Sequence, residues 1–275
     1  MKNAILTAIG GAAVSVAILA AGYVSGMAPP ATAGAAPQVV RIADNAPFSS
    51  AADRAAIEAI IHDYLVKNPE VMLEVQDALE KKQSEAQRVA QQKMIESTSK
   101  QIFDASYDGV IGNPSGKVSV VEFFDYNCHF CRGALPDMQA LVKENKDLRF
   151  VLKEFPILGE DSVKASVVSM AFNKLMPEKY ADFHQQLLGG KGRADEDKAI
   201  KIAVSLGADE AALRKEMKDP TIQQDIQSTY DLANKLSISG TPSYVVGDEV
   251  VFGALGKKVL DEKIANVRAC DHTTC

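Results

Sequence analysis

The chain is poor in cysteine and carries no surplus of positive charge. Four cysteines in 275 residues, placed as two close pairs, are too few for a disulfide-scaffolded fold, so the protein must fold by its core. Lys and Arg number 30 against 36 Asp and Glu, a formal charge of -6, which leaves no basic footprint for nucleic acid. Helix breakers are absent from one long stretch, since no Pro or Gly falls between Met72 and Phe103. What is present is 47% hydrophobic content, enough for one substantial core plus an appendage rather than two equal domains.

That core is organised around residues 121–131, VEFFDYNCHFC. Val118, Val120, Val121, Phe123 and Phe124 suit a strand over 117–125 buried on both faces, and Leu135, Met138, Leu141 and Val142 then recur at helical spacing. Cys128 and Cys131 therefore sit in a first helical turn, where unpaired N–H groups and the helix dipole favour a thiolate. A free thiol titrates at roughly 8.5, and Cys-x-x-Cys pairs at helix N-termini fall to roughly 3.5–7.5. Such a pair exchanges disulfides. The same spacing is half of a zinc site, but a strand-to-helix junction is the redox context, and a disulfide exposed at a helix start is reducible rather than inert. In this reading Cys128 is the nucleophile and Cys131 resolves the mixed disulfide, with no cofactor and no metal. His129 and Phe130 tune the pair, the alternative for His129 being a solvated surface residue. Glu122, an acid amid Val and Phe, is a candidate proton acceptor for Cys131 with Lys153 as partner; otherwise it is a strand-end Glu reaching solvent.

With KEFPILG at 153–159 and SGTPSYVVGDEVVFGALG at 239–256, this motif resembles the DsbA-like branch of the thioredoxin superfamily, particularly exported proteins of the Com1 and ScsC type. The resemblance covers about residues 55–268. It implies an α/β, thioredoxin-like fold with a helical insertion, about 161–236, in a catalytic domain spanning 106–268. It also implies a cis peptide before Pro242, which spacing alone leaves as an ordinary trans turn, with the Thr241 backbone free to pair with an extended substrate. Thr before this Pro resembles isomerase and reductase members more than strongly oxidising ones.

At the N-terminus, Lys2, the apolar stretch 4–24 and Ala31-Thr32-Ala33 read as a secretory signal over 1–33, or as a membrane anchor, followed by a linker, 34–50. A helical arm follows over 51–105. Its first helix is capped by Ser50 and presents Ile57, Ile60, Ile61, Tyr64 and Leu65; the second begins with Asn68 as N-cap and Pro69 in its first turn. That second helix is too polar to be stabilised by packing on one small domain, so the arm reads as an oligomerisation stalk through 51–100, or as a solvated spacer. Strand, helix and strand to Phe155 predict a parallel βαβ unit, and 243–252 a hairpin. Cys270 and Cys275, in the tail 269–275, read as a small disulfide, with metal capture by Asp271 and His272 the weaker alternative. His62 and His184 are expected on the surface.

Together these features describe an exported, periplasmic or otherwise extracytoplasmic, thiol-disulfide oxidoreductase acting on secreted proteins as isomerase or oxidase. It would be recycled by a membrane redox partner, and linking several catalytic domains would favour isomerisation. A different class, Cu(I) binding for copper tolerance, uses the same Cys128 and Cys131.

Overall fold

The computed structural model describes residues 50–275, so the signal-like segment 1–33 and all but the last residue of the linker lie outside the described residues. Two compact units divide between Asn68 and Pro69. In the first, helix α1 (Ala51–Lys67) starts at Ser50, whose hydroxyl accepts the Asp53 N–H, and none of its residues is buried. Asn68 closes α1 instead of opening the next helix. Its backbone N–H and its side-chain amide both reach the Tyr64 carbonyl, while α2 (Glu70–Phe103) has Pro69 as N-cap and no side-chain cap.

Helix α2 also departs from the sequence reading. Met72, Leu73, Val75 and Leu79 are exposed, but Ile95, Thr98 and Ile102 are buried at i, i+3, i+7 spacing against the sheet. Gln91 accepts the Val250 N–H at 3.0 Å, and Gln92 donates to Asp248 at 2.6 Å. Three small or apolar contacts and two amides dock the end of a helix whose average polarity argued against docking. An arm ending at residue 105 therefore takes in part of the catalytic core.

The sheet runs β1-β3-β2-β4-β5, with β1 Gly109–Gly112, β2 Val118–Phe124, β3 Leu148–Glu154, β4 Ser243–Val246 and β5 Glu249–Phe252. Strands β2 and β3 are parallel, joined through α3 (His129–Glu144), while β1 pairs antiparallel with β3 and β4 with both β2 and β5. Strand β1 is only Gly-Val-Ile-Gly, a segment the sequence pattern does not mark as a strand. The β4–β5 loop is Gly247-Asp248, with Gly247 at φ 52°.

Side-chain parity divides the core. Val120, Phe124, Phe150 and Leu152 face α3, α9 (Lys257–Cys270) and the inserted helices, whereas Val121, Phe123, Val151 and Val245 face α2 and the end of α8 (Pro220–Lys235). The insertion comprises α4 (Glu160–Leu175), a 3-10 turn (Pro177–Lys179), α5 (Tyr180–Gly189), α6 (Glu196–Ser205), α7 (Glu210–Glu216) and α8 (Pro220–Lys235). Asp195, Asp209 and Asp219 cap three of these helices by accepting the N–H groups of Lys198, Ala212 and Thr221. His184 is not a surface residue. It shares the inner face of α5 with Tyr180, Phe183 and Leu187, its ring centroid 4.8 Å from that of Phe124, and burial pushes its pKa down to about 3.

Lys153 is not the partner of Glu122 either. In parallel register it lies beside Phe123, so it projects through the opposite face of the sheet from Glu122. There it pairs with buried Asp108 at 2.6 Å, donates to the Gln101 carbonyl and sits 5.4 Å from the Tyr107 ring centre. Burial pushes Asp108 up to about 7 and Lys153 down, because each ion has lost its water. Lys153→Ala should cost ~3–5 kcal/mol at neutral pH by leaving Asp108 unpaired, and Lys153→Met with Asp108→Leu should cost less than either single change. Urea unfolding reads both.

Candidate active site

Strand β2 ends at Phe124, Asp125-Tyr126-Asn127 makes the turn, and Cys128 is the N-cap of α3. As N-cap it receives what the helix start offers. Its sulfur accepts the Cys131 N–H at 3.4 Å and lies 3.2 Å from the Thr241 carbonyl, across which the Thr241–Pro242 peptide is cis. Although only 5% exposed, Cys128 is held at a pKa of about 5. The hydrogen bond from the Cys131 thiol lowers it most, burial opposes, and the Thr241 side chain with the Cys131 and Phe130 N–H groups adds to the lowering. Cys131 is fully buried and moves the other way, raised by burial, by its bond to Cys128 and by the Glu122 charge. One sulfur ionises and the other keeps its proton.

Glu122 lies beneath this pair on the central strand, between Leu152 and Tyr244. It does not reach solvent. It is 3% exposed, its Oε1 has no hydrogen-bond partner, and burial first, then the Cys128 charge, pushes it up to about 8. His129 and Phe130 both point outward, their rings 5.8 Å apart.

The structure thus brings together Cys128, Cys131, Thr241, Pro242 and Glu122, and it leaves the tail cysteines elsewhere. Cys270 and Cys275 are joined to each other. Their loop is held to the hairpin turn by Asp248, which accepts from Thr273 N–H and hydroxyl, from Gln92 and from His272 at 2.9 Å. Burial alone would raise Asp248, but these partners hold it at about 2. Among the described residues no group of three or more His, Cys, Asp or Glu is placed to hold a metal ion.

Several polar residues around the site went unread in sequence. Asp125 is fully buried, and Glu154, registered beside Phe124, accepts from Ser166 at 2.7 Å and is pushed up to about 8 by burial. The available signal was an acid and an amide inside an apolar run, directly ahead of Cys128.

An ionisable thiol set against one that resists ionisation, on this sheet and facing a cis-Pro, places the chain among thioredoxin-like thiol-disulfide oxidoreductases. Within that class, residues 119–265 match the DSBA-like thioredoxin domain, and the chain belongs to that family. Residues 53–86 match the Copper resistance protein ScsC N-terminal domain. The chain is 38% identical to a thioredoxin-like oxidoreductase from Silicibacter pomeroyi, over 62% of this chain and 98% of that one, with a TM-score of 0.59. A variant of ScsC from Proteus mirabilis is 27% identical over 82% of this chain and 99% of that one, with a TM-score of 0.61. Disulfide bond formation protein D of Bacillus subtilis is 25% identical over 52% of this chain and 68% of that protein.

Two outcomes test the electrostatics. Iodoacetamide should alkylate Cys128 of the reduced protein with a rate that is half-maximal near pH 5, while Cys131 stays unmodified. The second outcome concerns stability. Cys128, lowered from 9.0 to about 5, makes the reduced protein more stable as pH rises through that window, whereas Glu122, raised from 4.5 to about 8, makes it less stable. Between about pH 5 and 8 the two oppose, so Glu122→Gln should make reduced-state stability climb more steeply with pH in denaturant titrations.

Proposed function

We propose that the protein forms or isomerises disulfides in exported proteins through Cys128, with isomerisation slightly favoured. The observation that carries this reading is the Cys128 sulfur at the N-cap of α3, accepting the Cys131 N–H beside the cis Thr241–Pro242 peptide, with Cys131 buried behind it. The Cys128 thiolate attacks one sulfur of a client disulfide, forming a mixed disulfide and expelling the other client sulfur as a thiolate. In isomerisation that client thiolate attacks a further client disulfide, and the thiolate released in turn displaces Cys128, so no net electrons move. In reduction, Cys131 attacks the mixed disulfide, ionised Glu122 takes its proton, and the client leaves with two electrons. Oxidation is the reverse, and a membrane redox partner would then accept the two electrons. The Thr241 backbone beside cis-Pro242 holds the client strand, and His129 and Phe130, both exposed, set the potential and meet the client.

Residues 51–100 serve in this reading to join several copies, which raises the effective concentration of catalytic domains at one client. Support comes from the absence of buried residues in α1, the exposed apolar residues in the first half of α2, and the match to the ScsC N-terminal domain. An extracytoplasmic location suits a chain whose tail carries a disulfide. Among the described residues no helix is long and apolar enough to cross a membrane.

The deciding assay is reactivation of scrambled ribonuclease by residues 34–275 and by a version beginning at Pro69, which keeps Ile95 and Ile102 in the core. Recovery with the longer protein and loss with the shorter, while both still oxidise reduced ribonuclease, supports an oligomeric isomerase. Equal oxidation with no unscrambling by either makes the protein an oxidase. The match of 53–86 to a domain named for copper resistance favours one alternative, a Cu(I) carrier using Cys128 and Cys131, and tight Cu(I) binding without turnover would establish it.

A further inference from the structure

The turn that carries Cys128 is fastened from outside the thioredoxin core. The Asp125 carboxylate, fully buried, accepts the Asn127 N–H at 2.7 Å, the Leu158 N–H at 2.8 Å and the Ser162 hydroxyl at 2.8 Å. The Asn127 side chain pairs with Ala194 at two points, accepting its N–H at 2.8 Å and donating to its carbonyl at 2.9 Å, and it also donates to Ser162 at 2.9 Å. Leu158 ends the loop after β3, Ser162 lies in the first turn of α4, and Ala194 precedes α6. Two residues of the turn thus collect six hydrogen bonds, four of them with Ser162 and Ala194 of the insertion and one with Leu158 in the loop that leads into it. The Asp125 backbone in turn holds the first cysteine, its carbonyl accepting the Cys128 N–H at 3.0 Å.

We infer that Asp125 and Asn127 are positioning residues for the Cys128 thiolate, and that the inserted helices act on the redox centre by fixing this turn. The inference rests on Cys128 being the reactive thiol. The physical reason is that the N–H groups of Phe130 and Cys131 stabilise a thiolate only when the sulfur is aligned with them, and alignment is set by the backbone at 125–128. A loosened turn keeps the helix and the cysteines but averages those bonds away.

The test is Asn127→Ala in the full protein, read by ultraviolet thiolate titration of the reduced form, by the reduction potential and by thermal unfolding. The thiolate midpoint should rise by about one unit, a tenfold loss of thiolate on the acid side, and the couple should become more reducing. A lower melting temperature with midpoint and potential unmoved would mean a merely structural clamp and would overturn the inference. A midpoint already near the free-thiol value in the unaltered protein would instead defeat the assignment of Cys128 as the reactive thiol. If Asn127→Ala does not fold, Ser162→Ala, which removes one hydroxyl from both residues, should show the same shift in smaller measure, and no shift there counts equally against the inference.

Discussion

Everything at the redox centre depends on one constraint, that a sulfur occupies the N-cap of a helix. An N-cap normally brings an oxygen to the orphan N–H groups of the first turn, and here that place is taken by Cys128. The thiolate is then the form that satisfies the helix, so ionisation and capping become the same event. Cys131, three residues on, turns to the core, where burial and the bond its thiol gives to Cys128 keep it protonated, while that same bond and the helix N–H groups outweigh burial at Cys128. The asymmetry follows from helix geometry before any side chain between the cysteines is considered, and His129 and Phe130 are free to face solvent.

The second organising fact is the parity of the central strands. Glu122 and Lys153 are neighbours by sequence pattern and chemistry, an acid and a base on adjacent parallel strands, yet their registers differ by one and they emerge on opposite faces. Each face therefore meets its own charge problem. Lys153 is neutralised by Asp108 from the loop ahead of β1, which ties α2, β1 and β3 together; Glu122 has no such base and relieves its burial by holding a proton. A base beside Glu122 would favour its charged form. An unpaired acid can give and take a proton beneath Cys131, which is why the failure of the expected ion pair matters more for chemistry than its formation would have.

What sequence made legible was whatever depends on local pattern. The run from Val118 to Phe124 and the repeat after Cys131 are periodic, and both elements stand where the periodicity puts them. The cis peptide was legible only through resemblance, since nothing in Gly-Thr-Pro distinguishes it from a common turn. Illegible were properties set by distant partners. Strand β1 exists because β3 offers it an edge, His184 is buried because α5 turns that face to Phe124, and two of the three donors to Asp125 lie more than thirty residues away. For His184 and Asp125 polarity was the misleading signal, because a polar side chain reveals that it needs partners and not where they are.

Helix α2 shows how an exposed helical segment can be maintained without a core of its own. Beginning a helix is the expensive step, and extending one adds a hydrogen bond per residue at little cost. The docked half, with Ile95 and Ile102 in the core and Gln91 and Gln92 fastened to the hairpin, meets that initial expense inside the catalytic domain. Residues from Glu70 to Ala90 then extend a helix already begun, supported by pairs such as Glu85 with Arg88 and Gln76 with Glu80. Asp248 joins the same arrangement to the tail, since one carboxylate receives Gln92 from α2 and Thr273 and His272 from the disulfide loop. A partner surface that meets Val75 and Leu79 accordingly finds them ordered on a helix, and the free energy of any contact there goes into association rather than into folding the segment that makes it.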